Sequence, residues 1–482
     1  MGDSPPASTP SPPPVAATRW LGIGELGRLL RAGDVSATDL ARAALERLDT
    51  TGRRLNAVAT MTADLALDQA ARADGELRAG TDRGPLHGIP WGAKDLLATR
   101  GIPTTWGAAP FRDQVPAEDA AVVERMAAAG AVLIGKLAMV ELAGGFNYDQ
   151  PDAAWTGPGR NAWDPETWAG GSSSGSGSAV GCGAVPVAIG SETWGSIHTP
   201  AALNGITGFR PTYGRVSRRG AMALSWTMDK VGPMARSAGD AWLTLRAIAG
   251  PDPADRTSAD RSLPDLPTGH GFRLAVPRGV TDGLDTTLTA AFERALDVLR
   301  PLAASIEEID LPDLPWAETA ALIIAAEGAS AFQDQIEDGT TRLLSAPEDR
   351  YGLYHALTMP ASDYIRALRV RGLGMTRLAA VMRDVDAVVA PTLPVEAPPI
   401  DASFRVAFAE TGGIGLGAPG NLCGLPSITV PMGSGPRGLP VGIEFLGNPW
   451  SEPTLAALAI AFQSATDWHL HHPPDRAPTG AT

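Results

Sequence analysis

Lysine is almost missing from this chain. Of its 39 basic side chains only Lys94, Lys136 and Lys230 are lysines; all the others are arginines. Where a generic positive charge suffices, the sequence uses arginine, so each surviving lysine marks a place where arginine will not serve. Lysine can give up its proton when desolvated and arginine effectively cannot, so a chain that needs a neutral amine as a base must keep a lysine there. Cysteine is equally scarce. Cys182 and Cys423 form neither metal-type spacing nor a disulfide framework, and read as two buried free thiols in a reducing cytoplasm. No apolar run reaches the length of a membrane-spanning helix. The opening MGDSPPASTPSPPPVAATRW lacks the basic n-region and apolar core of a secretory signal. Residues 1–18 read as a disordered Pro/Ser-rich tail and 19–482 as one domain. A formal net charge of −14 disfavours a phosphate-neutralising surface, so neither nucleic acid nor membrane is expected as a partner.

Glycine (55) and proline (42) are plentiful among the 482 residues, which predicts many tight turns. Ser36-Ala-Thr-Asp39 opens a helix, with apolar residues recurring at Leu40, Ala44 and Leu48. Further helices are predicted over Ala63–Ala79, 117–129 and 176–183, and in the amphipathic stretches after residue 272. Short apolar strands are predicted at 131–137, 185–191, 386–392 and 427–431, and in FRLAVP from 272. Strands alternating with helices predict an α/β fold around a largely parallel or mixed sheet.

Three motifs fail on context. Gly130-AVLI-Gly135-Lys136 begins like a phosphate loop, but Leu137 follows where a magnesium-binding hydroxyl is needed, and the intervening residues are strand formers. Gly171–Gly175 fits G-x-S-x-G with Ser173 as centre, but a nucleophile elbow needs a strand before it, and NAWDPETWAG reads as loop. His469, His471 and His472 lie beside prolines and read as a surface cluster; no metal is expected.

Four segments read together carry chemistry: GIPWGAKD (88–95), AGGSSSGSGSAVG (169–181), GSETWGSIHTPAALNGITGFRPTYGRVSRRG (190–220) and GNLCGLPSITVPMGSGPRGLPVGIEFLG (420–447). In this order and spacing they resemble the amidase signature family over roughly residues 30–470. The resemblance implies a single α/β domain, with a central mixed twisted sheet covered by helices on both faces. It also implies a cofactor-free amidase with Ser196 as nucleophile, Ser172 as bridge and Lys94 as base, and a cis Gly171–Ser172 peptide bond. The backbone amides of Thr193, Trp194, Gly195 and Ser196 would form the oxyanion hole. The logic is self-consistent. A serine hydroxyl needs a base, burial lowers a lysine's pKa, and a bridging hydroxyl carries the proton between them. The reverse transfer supplies the proton that a leaving amine requires.

The sequence departs from the family pattern at Glu192, where aspartate is common, at Trp194, where glycine is common, and at His198, where arginine is common. Trp194 is expected either to line the acyl pocket or to pack in the core. His198 is expected to pair with Glu192 or to pack. Asp95 is expected to help set the position or charge of Lys94, and Ser173 and Ser174 to hold the serine loop. Substrate contacts are expected from Gly145, Phe146, Asn147 and Gly171, with further candidates near 351–371 and 404–417. The expected partner is a small-molecule amide, with esters, carbamates and hydrazides open to the same triad; a homodimer is admitted without a residue that marks it. Two rivals share the acyl-enzyme: an acyltransferase or amide synthase, and the A subunit of a tRNA-dependent amidotransferase, which works on glutamine with partner subunits.

Overall fold

The computed structural model describes residues 15–474 apart from 147, 150, 152–153, 405–406 and 408–414. Most of the predicted Pro/Ser tail therefore lies outside the described residues, but Val15–Trp20 form a 3-10 turn with Thr18 buried.

The N-terminal half runs α1 (Ile23–Ala32), α2 (Ala37–Arg47), β1 (Val58–Met61), α3 (Ala63–Arg78), β2 (Pro90–Lys94), α4 (Ala121–Ala128), β3 (Val132–Leu137), α5 (Ser174–Gly181), β4 (Val187–Glu192) and α6 (His198–Leu203). It continues through β5 (Thr207–Arg210), β6 (Lys230–Ala235) and α7 (Ala238–Ile248). The C-terminal half adds β7 (Phe272–Pro277), α8 (Thr286–Leu299), β8 (Ala303–Ile309), α9 (Trp316–Ala331), α10 (Gln333–Glu337), α11 (Ala361–Val381), β9 (Ala387–Pro391), β10 (Ser427–Ser434) and β11 (Pro440–Leu446). Helices also span Gly417–Leu422 and Glu452–Ser464. The Ser36 hydroxyl caps α2 by accepting the Asp39 amide at 3.0 Å, as its sequence predicts.

Among the described residues, eleven strands form one sheet in the order β1-β3-β2-β4-β6-β5-β10-β11-β9-β7-β8. β3, β2 and β4 run parallel, neighbours from β4 across to β9 pair antiparallel, and β9, β7 and β8 are parallel again, so the sheet is mixed. β2, β3, β9 and β11 are buried along their whole lengths, whereas the edge strands β1 and β8 are largely half-exposed. Central strands buried on both faces require helices on both sides. β5, β6 and β11 were not predicted from sequence, because Gly208, Pro233 and Gly442 interrupt the apolar pattern that marks a strand.

The Gly/Ser run that resembles a linker is the buried helix α5, packed on β2, β3 and β4. Gly175 makes that approach possible: a Cβ there would lie 2.4 Å from the Ala57 carbonyl oxygen and 2.5 Å from the Ala138 nitrogen. Small residues thus let helix and backbone touch and bring the serine loop onto the ends of β2 and β4.

Candidate active site

Lys94 closes β2 and is fully buried. Its Nζ donates to the Ser172 Oγ at 2.7 Å and to the Ser191 Oγ at 2.9 Å. Burial pushes the amine down to about 7, against the pull of the more distant Asp229 and Glu192 carboxylates. The other two lysines are buried as well. Lys136 faces Asp95 at 3.2 Å, and Lys230 donates to the Met228 carbonyl.

The serine loop leads into α5. The Gly171–Ser172 peptide bond is cis. The Ser172 carbonyl accepts the Val140 amide at 3.0 Å, and the Ser173 amide donates to the Ser196 carbonyl at 3.2 Å. The Ser173 hydroxyl donates to the Ser191 carbonyl at 3.2 Å, and that of Ser174 reaches the Ala138 carbonyl at 3.4 Å. These bonds hold the loop against the turn that carries Ser196.

That turn, 193–197, joins β4 to α6. Glu192 anchors it from the end of β4. One carboxylate oxygen accepts the Ile197 and His198 amides at 2.8 and 3.0 Å; the other accepts Arg210 Nη1 and Asn421 Nδ2, both at 2.8 Å. Burial alone would raise this carboxyl. His198, Arg210 and Lys230 outweigh it and hold the group well below the usual carboxylate range. Thr193 donates its hydroxyl to Asp229 at 2.6 Å, and Asp229 also accepts the Leu224 and Ser225 amides. Among the described residues, no acceptor takes the backbone N–H groups of Thr193, Trp194, Gly195 or Ser196. Gly195 has φ 86°, a left-handed conformation that glycine adopts freely.

Ser196, Thr193, Trp194 and Gly171 line a cavity of about 490 Å³ together with Tyr148, Trp168 and Phe404. None of its described lining residues is charged. Trp194 is 38 % exposed, so of its two expected placements the structure takes the cavity wall and not the core.

Other expectations are corrected. Asp95 turns away from Lys94, accepting from Thr105 and pairing with Lys136 on a separate buried cluster. Of the two expectations for His198 the structure takes packing: its buried ring faces Glu444 at 3.4 Å and the Ser427 carbonyl at 3.2 Å, and only its backbone meets Glu192. Gly145 and Gly171 line the cavity, but Phe146 is buried against Phe332, with ring centroids 5.4 Å apart. Asn147 lies outside the described residues. Ser191 and Asp229 were missed in the sequence. Ser191 stands inside the GSETWGSI motif, where its hydroxyl was the available signal, whereas Trp168 had none. His472 stacks on Trp20 at 4.7 Å and His471 faces Asp467 at 3.4 Å. Among the described residues, no group of three or more His, Cys, Asp or Glu side chains is placed to hold a metal ion, and no helix is long and apolar enough to cross a membrane.

The profile of the Amidase family matches residues 39–456. The A subunit of the glutamyl-tRNA(Gln) amidotransferase of Chloroflexus aurantiacus is 38% identical over 473 residues, covering 92% of this chain and 96% of that protein. Its counterpart in Moorella thermoacetica is 35% identical over 491 residues, covering 94% and 98%. Among solved structures, the native peptide amidase of Stenotrophomonas maltophilia superposes with a TM-score of 0.83 at 32% identity, covering 94% of this chain and 98% of that one.

Proposed function

The chain belongs to the amidase signature family, and on that premise we propose that it hydrolyses the C–N bond of a small, largely uncharged amide through an acyl-enzyme on Ser196. The observation that carries this reading is the fully buried Lys94 amine, brought to about 7 and bonded to the Ser172 hydroxyl at 2.7 Å. Ser196 Oγ attacks the carbonyl carbon and passes its proton to Ser172 Oγ, whose own proton moves to Lys94 Nζ. The developing oxyanion is received by the free amides of the 193–196 turn, each such donor contributing roughly 3 kcal/mol. Return of the proton along the same path lets the amine depart, and water repeats the cycle on the acyl-enzyme. Glu192 and Asp229 are positioning residues for the turn, and His198 packs behind it. No cofactor or metal takes part in this scheme. The acidic charge and the two buried free thiols support a cytoplasmic chain that does not bind nucleic acid.

The relatives' names favour a second reading, the A subunit of an amidotransferase fed by glutamine. Glutamine brings an ammonium and a carboxylate, and the described residues lining the Ser196 cavity offer neither a charged partner, a cost that binding must meet. This observation supports an uncharged amide over glutamine. An acyltransferase differs only in the acceptor that meets the acyl-enzyme.

The test is labelling with a fluorophosphonate probe, read by peptide mass mapping. The expected adduct sits on Ser196 and weakens sharply in Lys94→Ala and Ser172→Ala. An adduct on Ser173 would sink the assignment. Turnover of glutamine in preference to acetanilide would replace it by the amidotransferase reading, and acyl transfer to an added amine outrunning hydrolysis would favour the acyltransferase.

A further inference from the structure

A second chamber, of about 630 Å³, opens beyond Trp194 and does not include Ser196. It shares Gly144, Gly145, Trp194 and Ile324 with the Ser196 cavity. Its own described lining is almost wholly apolar: Ala321, Leu322 and Ala325 of α9, with Leu353 and Met359; among the described residues His355 is its one titratable side chain. Trp194 is the largest side chain of the shared wall. Gly144 and Gly145 share that wall and offer bare backbone, and a side chain at either would press on its neighbours. A Cβ on Gly145 would lie 2.1 Å from Leu224 Cδ1, and one on Gly144 2.4 Å from the Tyr148 ring. Leu142, Ala143 and Gly144 are consecutively left-handed, with φ of 47°, 60° and 78°. Non-glycine residues pay for that conformation and persist in it only where the surroundings impose it. The Glu141 carboxylate, which accepts the Ser345 and Ala346 amides at 2.8 and 2.9 Å, ties this segment down. The segment that carries this bare stretch of wall is thus held in place.

We propose that the substrate carries, on one side of its scissile bond, an apolar group that passes Trp194 and fills this chamber, with Trp194 setting the length that is accepted. The proposal rests on Ser196 as nucleophile. Each methylene entering such a chamber is worth a factor of about four in binding. A hydrocarbon arm rewarded in this way distinguishes the substrate from acetamide-sized amides.

Two series test it: 4-nitroanilides of acetic to octanoic acid, and N-alkyl acetamides from methyl to octyl. In one of them kcat/KM should climb about fourfold per methylene once the chain clears the indole. Ala325→Trp, and independently Met359→Trp, should cut turnover of the octyl member at least tenfold while acetyl anilide stays within twofold of wild type, which also shows that the variant folds. Trp194→Ala should shift the long-to-short ratio at least tenfold. No length dependence in either series, with acetyl anilide still turned over, overturns the proposal alone. Loss of Ser196 labelling and of all turnover in wild type would remove the hydrolase reading and this inference with it.

Discussion

Lys94 and Lys136 lie on neighbouring strands, β2 and β3, and both are fully buried. Their surroundings separate them. Lys136 meets a carboxylate: Asp95 at 3.2 Å, with the Thr104 hydroxyl at 2.6 Å. Burial pushes both members of that pair toward their neutral forms and their mutual attraction opposes it. Lys94 meets only hydroxyls and a backbone carbonyl, while its carboxylates, Asp229 and Glu192, act from a distance. On the proposed mechanism Lys136 is a strut and Lys94 exchanges the proton; what separates these two is the carboxylate that contacts Lys136 and not Lys94.

The largest expected effect breaks this comparison at the base. Lys94→Ala should lower kcat/KM by about 10²–10⁴-fold, the usual worth of a general base, whereas folded Lys136→Met should retain most activity. Steady-state kinetics on one anilide substrate would read both. Next comes stability. Lys136→Met strands a buried Asp95 and should cost about 3 kcal/mol in urea unfolding, while Lys94→Met should gain about 1 kcal/mol. The sign follows from linkage. The folded Lys94 value, about 7, lies below that of the unfolded chain, so from pH 7 to 10.5 the unfolded state binds more protons and stability rises with pH. The advantage of Lys94→Met should therefore be greatest below pH 7 and fade towards 10.5. If both substitutions move stability the same way, the distinction between strut and base fails.

Smaller effects sharpen the contrast. The kcat/KM of the wild type should rise with pH through about 7 as Lys94 sheds its proton. Asp229 favours the charged amine, so Asp229→Asn should move that limb to lower pH, by less than about one unit for a charge acting at a distance. Asp95→Asn, whose carboxylate faces Lys136, should leave the limb in place. Equal shifts from the two variants would show that Asp95 acts on Lys94 after all.

The same contrast explains what could be read from the sequence. Lys94, Ser172, Ser196 and the 193–196 turn stood out in the sequence through the amidase signature resemblance, because the proton transfer and oxyanion binding proposed for them demand particular groups at fixed spacing. The helix α5 was legible as a small-residue helix, since only small residues let it approach the sheet backbone so closely. Asp95 was misread because adjacency in sequence says little about a strand end, where successive side chains point to opposite faces. The walls of the cavity were legible only as segments: 144–149, 351–371 and 404–417 held Tyr148, Leu353, Met359 and Phe404, while Trp168 and the α9 residues were not singled out. Tyr148, Trp168, Phe404 and the α9 residues need only be apolar and of suitable volume, and many sequences meet that demand. β5, β6 and β11 were hidden by the glycines and prolines that interrupt their apolar pattern.

The burial of all three lysines reaches beyond catalysis. The folded surface offers no side-chain amine, so an activated ester, an aldehyde surface or an amine-directed cross-linker would find only the α-amino group. Unfolding releases three amines at once. The mass added by such a reagent would therefore count open molecules directly, against an almost silent background, and the protein carries its own gauge of integrity without any engineered tag.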